Sequence, residues 1–189
     1  MLFERLAFEI GAGEVVWMRA ANGFGKTTLL RVLAGLAAPD AGTLAWSGGA
    51  VRPPLLYLAH ANALKDDLTV VESVRDQARL HGLPLGEGAV GDALRTFGMQ
   101  RRARAPIRTL SQGQRRRVAL ARLCLSATRP LWLLDEPYDA LDADGAATVG
   151  TLIAAHAAGG GSVLLTSHVP PHAAGAAVRV LELDRPDGR

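Results

Sequence analysis

Two stretches of this sequence place reactive groups where an apolar strand gives way to a loop: the first suits a phosphate anion and the second a cation and a water beside it. The first is Glu14 to Leu30, EVVWMRAANGFGKTTLL, which reads as strand, small-residue loop and helix. Ala20, Ala21, Asn22, Gly23, Phe24 and Gly25 leave space for backbone N–H groups to close around an anion, because the two glycines carry no Cβ penalty. Lys26 adds a mobile positive charge for the β- and γ-phosphates, and Thr27 offers a hydroxyl to Mg²⁺. Thr28 continues the first helical turn, whose N-terminal dipole points at the same anion. The second stretch, Pro130 to Pro137, PLWLLDEP, ends an apolar strand in Asp135 and Glu136. Ligands of open α/β sheets bind at such strand ends. A carboxylate at the tip of a buried strand needs a partner such as Mg²⁺, and the adjacent Glu136 can orient a water. The simpler alternatives are a chance Gly-Lys-Thr and an acidic strand end paired with a surface arginine.

Two further sites belong with these. In Leu110-Ser111-Gln112-Gly113-Gln114, serine is a good helix N-cap and Gly113 lets backbone approach an anion, giving a second phosphate-reading helix terminus or an ordinary capped helix. Ser167 and His168 follow the apolar strand Ser162 to Thr166 and would face the same crevice as Asp135. The loop departs from G-x-x-x-x-G-K-[ST] at its first position, where Ala20 is acceptable if its φ is negative.

The elements that must position these groups alternate between strand and helix. Leu2, Phe3, Leu6, Phe8 and Ile10 alternate with polar residues as a half-buried strand that turns at Gly11 to Gly13. After the loop, a helix sets Leu29, Leu33, Leu36 and Ala37 on one face, and Thr43 to Trp46 and Leu55 to Leu58 follow as strands. Thr69 with Glu72 forms a capping box for a helix Val70 to Leu80. A small helical insert, interrupted by Gly82, Gly86 and Gly88, then runs to Arg108, with Arg101, Arg102, Arg104 and Arg108 as a solvated surface. Arg115 to Leu125 is a helix with Val118, Ala121 and Leu125 inward and Arg115, Arg116 and Arg117 opening its polar side. Ala146 to Ala158 is a helix and Val178 to Leu183 a last strand.

With 189 residues, 49% of them hydrophobic, the chain suits one well-buried domain, and a net charge of +3 is mildly basic without demanding nucleic acid. Cys124 stands alone, so no intramolecular disulfide can form and a reducing compartment is favoured. No apolar run approaches the roughly 20 residues of a membrane span, and the start lacks a signal-peptide pattern.

In order, the loop, helical insert, LSQGQ, LLDEP, LD and SH resemble the nucleotide-binding subunit of an ATP-binding cassette (ABC) transporter, over nearly the whole chain. The stretches LLYLAHANALKDDLT and LSQGQRRRVALARL are similar, within that superfamily, to the subunits of haem exporters used in cytochrome c maturation. The resemblance implies an α/β P-loop NTPase of ABC ATPase type. Its mostly parallel sheet would carry an N-terminal antiparallel β portion and a small helical insert, with residues 1–60 and 111–189 as core and about 61–110 as helical subdomain. It implies ATP and Mg²⁺ as cofactors, Glu136 as catalytic carboxylate, His168 as switch histidine, and Thr27 and Asp135 at the metal. It also implies a head-to-tail ATP sandwich with a second copy, each site taking Lys26, Thr27 and Asp135 from one chain and Ser111, Gly113 and Gln114 from the other.

Integral membrane subunits of the CcmB/CcmC kind are the implied partners, at the cytoplasmic face of the bacterial inner membrane. The loop His60 to Asp67 and helix Thr69 to Leu80 would transmit motion to them. Another cargo, or a non-transport ABC-type ATPase, is the alternative. No nucleic acid is expected, since the insert has no room for a coiled-coil arm. No direct haem binding is expected either, because C-x-x-C-H is missing and the histidines are scattered. The family's Q-loop glutamine is Ala61 here, leaving its place to Asn62, one residue later and a methylene shorter, or to water. Family members also carry an earlier residue that stacks on adenine, for which this sequence offers no counterpart.

Overall fold

Short runs of bulky apolar residues make strands, the inner ones buried on both faces, and the computed structural model pairs five strands in parallel. It describes residues 6–21, 23–46, 49, 51–83 and 85–183. The strands are β1 (Val15–Arg19), β2 (Leu55–Leu58), β3 (Leu131–Leu134), β4 (Ser162–Thr166) and β5 (Val178–Glu182), in the spatial order β2-β3-β4-β1-β5. Parallel strands need crossovers, supplied by helices except between β4 and β5, and the helices cover both faces of the sheet.

The period of two along each strand divides the interior in two. Val15, Leu56, Leu58, Trp132, Leu134, Val163 and Leu165 face one core, together with α2 (Val70–Leu80), α3 (Ala89–Thr96), α4 (Gln112–Leu120), α5 (Arg122–Leu125) and α6 (Ala143–Ala158). Val16, Met18, Leu131, Leu133 and Leu164 face the other, covered by Leu29, Leu30 and Leu33 of α1 (Lys26–Leu33). Because all four residues of β3 are buried, the carboxylates that follow are carried on a rigid central strand.

Three of the helices, α2, α4 and α6, start where side-chain caps satisfy their first N–H groups. Thr69 and Glu72 form the expected capping box at α2, and Ser111 and Gln114 form another at α4. Asp142 caps α6 by accepting from Gly145 N at 2.9 Å, so α6 begins at Ala143, earlier than the expected Ala146. The helix expected from Arg115 to Leu125 instead starts at Gln112 and divides at Ala121 into α4 and α5.

The N-terminal half differs from expectation in three places. Leu6, Phe8 and Ile10 pack against the second core in the expected alternation, but residues 6–14 form no ladder. Leu2 and Phe3 lie outside the described residues. Of the strand expected at Thr43 to Trp46, only an isolated antiparallel bridge, Trp46 to Gly49, is present, so no antiparallel sheet forms among the described residues. Strand alternation needs a paired neighbour to become a strand, and among the described residues it has none. Leu36 and Ala37 do not join the α1 face. The helix ends at Leu33, Gly35 takes a φ of 70°, and Leu36 is left 64% exposed.

Candidate nucleotide site

The loop between β1 and α1 is built as the sequence requires. Gly23 and Gly25 have φ of 80° and 82°, and Gly25 immediately precedes the first helical residue. Ala20 is not among the non-glycine residues with positive φ, so its Cβ causes no strain. Ala21 accepts a 3.3 Å hydrogen bond from Phe24 N, which closes the loop. Lys26 Nζ donates to Ala20 O at 2.9 Å, folding the ammonium back over the cradle. Thr27 and Thr28 are exposed in the first turn of α1. Asn22 lies outside the described residues.

Pairing of β3 with β4, Leu134 opposite Leu165, sets Asp135 beside Thr166. Asp135 is 2% exposed and accepts from two hydroxyls, Thr27 Oγ1 at 2.8 Å and Thr166 Oγ1 at 2.9 Å. Its carboxylate therefore joins the loop to the sheet and does not pair with a surface arginine. Thr166 Oγ1 in turn accepts from Glu136 N at 2.8 Å. Neighbouring Glu136 is 7% exposed and has a left-handed backbone, φ 48°. Its Oε2 accepts from His168 N at 3.1 Å, and its Oε1 receives no hydrogen bond, with His168 Nε2 standing 3.5 Å away. Burial pushes the Glu136 carboxyl above the usual range, opposed by the nearby His168. Trp17 Nε1 donates to Ser167 O at 3.0 Å, fixing the histidine loop from β1. A groove of about 760 Å³ opens beside the cradle, lined by Trp17, Arg19, Ala21, Phe24, His168 and Glu182.

The fourth feature stands apart. Ser111 Oγ accepts from Gln114 N at 3.3 Å and Gln114 Oε1 accepts from Ser111 N at 3.1 Å, each polar group occupied by the other. A Cβ at Gly113 would approach Ala140 O to 2.9 Å, so glycine is needed there for close packing within the chain as well as for access. No hydrogen bond among the described residues links Ser111, Gly113 or Gln114 to the β1–α1 loop, whereas Thr27, Asp135, Glu136 and His168 are brought together.

Sequence reasoning missed two residues and misread a third. Thr166 sits inside an apolar strand with nothing to mark it, and Trp17 reads as ordinary core. Arg116, expected with Arg115 and Arg117 on the polar side, is buried with 2% exposure. Its guanidinium reaches the β2 loop and the carbonyls of Asp135 and Glu136. The other expected arginines, Arg101, Arg102, Arg104 and Arg108, are exposed.

A phosphate loop, two carboxylates at the tip of a parallel strand and a separately capped helix define an ATPase of the cassette type. The chain belongs to the ABC transporter family, whose sequence profile matches residues 3–139. The cytochrome c biogenesis ATP-binding export protein CcmA of Aromatoleum aromaticum is 45% identical over 184 residues, 90% of this chain and 86% of that relative. The protein of the same name from Vibrio cholerae is 40% identical over 193 residues, covering 98% of this chain and 93% of its own length. Among solved structures, a putative ABC transporter ATP-binding protein from Pyrococcus furiosus matches with a TM-score of 0.81 at 26% identity, over 96% of this chain and 90% of that one.

Proposed function

We propose that this chain is the ATP-hydrolysing subunit of a haem exporter serving c-type cytochrome maturation. In this reading it works as a head-to-tail pair at the cytoplasmic face of the bacterial inner membrane, against integral membrane subunits of the CcmB/CcmC kind. None of the described helices is long and apolar enough to cross a membrane, so attachment would be peripheral. The β2 loop and α2 would meet the membrane subunits, with residues 61–110 as the helical subdomain. One observation carries the catalytic part: Glu136 is buried at a strand tip with Oε1 unpaired, one residue from a carboxylate bonded to the phosphate loop.

A buried carboxylate whose side-chain partners are two neutral hydroxyls suits a hard divalent cation, and Thr27 and Asp135 offer the oxygen donors that Mg²⁺ takes. Mg²⁺ bound there would neutralise charge on the β- and γ-phosphates. The protein's own groups do the rest. Lys26 leaves Ala20 O for the phosphates, and the loop N–H groups and the α1 dipole hold the anion. Glu136 Oε1 accepts from the attacking water, its raised proton affinity matching a general base. His168 bonds the γ-phosphate. Ser111 and Gly113 of the partner copy would close the far side, which explains why those groups are built and capped yet remote from the loop.

Glu136→Gln should bind ATP, accumulate as an ATP-dependent dimer and hydrolyse it at well under a hundredth of the normal rate, the scale expected when a general base is lost. In cells carrying only this variant, c-type cytochromes should lack covalent haem. Normal turnover would refute the catalytic reading. Normal haem attachment despite abolished turnover would refute the cargo.

A further inference from the structure

Of the three consecutive arginines in α4, only Arg116 is buried, and all five of its acceptors are oxygens of the backbone or an amide. Nη1 donates to Ala59 O at 3.3 Å, His60 O at 3.2 Å and Asn62 Oδ1 at 3.1 Å. Nη2 donates to Asp135 O at 3.1 Å and Glu136 O at 2.5 Å. One guanidinium therefore ties α4 to two segments distant in sequence. Burial alone weakens its hold on the proton, and Asp139, Asp135 and Glu136 act in the opposite sense. A planar fork of donors can hold two segments at fixed angles, which a single ammonium cannot.

The segment it grips is strained. With φ 48°, Glu136 is in the left-handed region that strains a residue with a Cβ, and such geometry persists only where its surroundings enforce it. Both sides of the residue are anchored, the N–H by Thr166 Oγ1 and the carbonyl by Arg116. In this conformation the carboxylate meets His168 N. Arg116 lies in the second turn of α4, behind the Ser111 cap, so any tilt of that helix or shift of residues 59–62 moves the same guanidinium.

We propose that Arg116 is a positioning residue for hydrolysis: it holds the left-handed Glu136 backbone that aims the carboxylate, and ties that aim to the seating of α4 and of the loop 59–62. This rests on Glu136 being the general base. A helix whose N-terminus engages the partner's nucleotide and a loop that touches a membrane subunit would then act on one carboxylate through one side chain.

The test is steady-state ATP hydrolysis and equilibrium ATP binding by the full chain carrying Arg116→Met or Arg116→Lys, with Glu136→Gln alongside. Arg116→Met should lower kcat roughly 10- to 100-fold, the scale of a misplaced catalytic group, with ATP affinity changed less than about threefold. Arg116→Lys keeps the charge but not the fork and should recover only part of that loss. If Arg116→Met does not fold, Arg116→Lys decides alone: wild-type kcat in that variant overturns the proposal, and a lowered kcat at unchanged affinity supports it. Equal losses of affinity and kcat, in step with a lowered melting temperature, would make Arg116 merely structural and overturn it. Should Glu136→Gln hydrolyse normally, the reading of the base fails and this proposal with it. If Glu136→Gln is inactive while both Arg116 variants keep kcat, only the present proposal fails.

Discussion

The crevice at the tips of β1, β3 and β4 and the start of α4, the two halves of the proposed nucleotide site, are held together in opposite ways. At the crevice, Thr27, Asp135, Thr166, Glu136 and His168 come from three separate segments and bond to one another in a continuous chain. At α4, Ser111 and Gln114 satisfy each other within a single turn and need no other element. The crevice is an arrangement that only the folded chain can make. The α4 cap is a local device that folding merely orients, and it leaves Ser111 exposed. The difference teaches that nucleotide binding and nucleotide turnover should be separable by mutation.

The largest effect should come from Lys26→Ala at the crevice. No other basic side chain is placed in the loop, so ATP binding and hydrolysis should fall together, turnover by roughly 10²- to 10³-fold. Calorimetric binding and phosphate release would show it, and unchanged turnover would remove the cradle from the mechanism. Ser111→Arg at the other region should also stop hydrolysis, by filling the space for the partner's γ-phosphate, while the isolated chain binds ATP as before. If its affinity fell as far as its turnover, the two regions would serve one intrachain site and the contrast would break.

Thr166→Val probes how tightly the crevice is knit. It keeps the shape but leaves Glu136 N and Asp135 Oδ1 without their partner in a buried setting, so chemical denaturation should show a loss of about 2–4 kcal/mol. A matched change at the α4 cap, Ser111→Ala, should cost only about 1 kcal/mol. The smallest effect is expected for Asn62→Ala. The amide oxygen of Asn62 is engaged by Arg116 within the chain, so water would fill the place of the family's glutamine. Hydrolysis should slow less than about tenfold, or about 1.4 kcal/mol of barrier, and Ala61→Gln should leave it similar or faster. An Asn62→Ala loss as deep as that of Glu136→Gln would mean that Asn62 itself reaches the reacting groups.

Much of the crevice was legible because its parts obey short-range rules. A glycine pair before Lys-Thr favours a tight loop entering a helix, and apolar residues running into Asp-Glu favour a buried strand with a polar end. What was illegible follows from the same limit. Arg115, Arg116 and Arg117 are identical by type and adjacent in sequence, so helical geometry aims them differently, but only the position of the sheet says which direction is inward. Thr166 gives no local signal, since threonine is an ordinary strand residue. The alternation at Leu6, Phe8 and Ile10 foretold which side chains face the interior, but pairing was a separate matter that depended on a neighbour.

The sequence by itself therefore determined what nearest neighbours along the chain can settle: the caps of α2 and α4, the phosphate loop, the buried strands and the carboxylates at a strand tip. Membership of the ATP-binding cassette class followed from their order. Only the tertiary structure decided that β4 lies between β3 and β1, and hence that Thr166 would bridge Asp135 and Glu136, Trp17 would hold the histidine loop, and Arg116 would reach two segments at once. The physical reason is that parallel pairing joins strands distant in sequence. Their order and register are fixed by packing both apolar faces of the sheet at once, a condition on the whole chain that no short stretch of it contains.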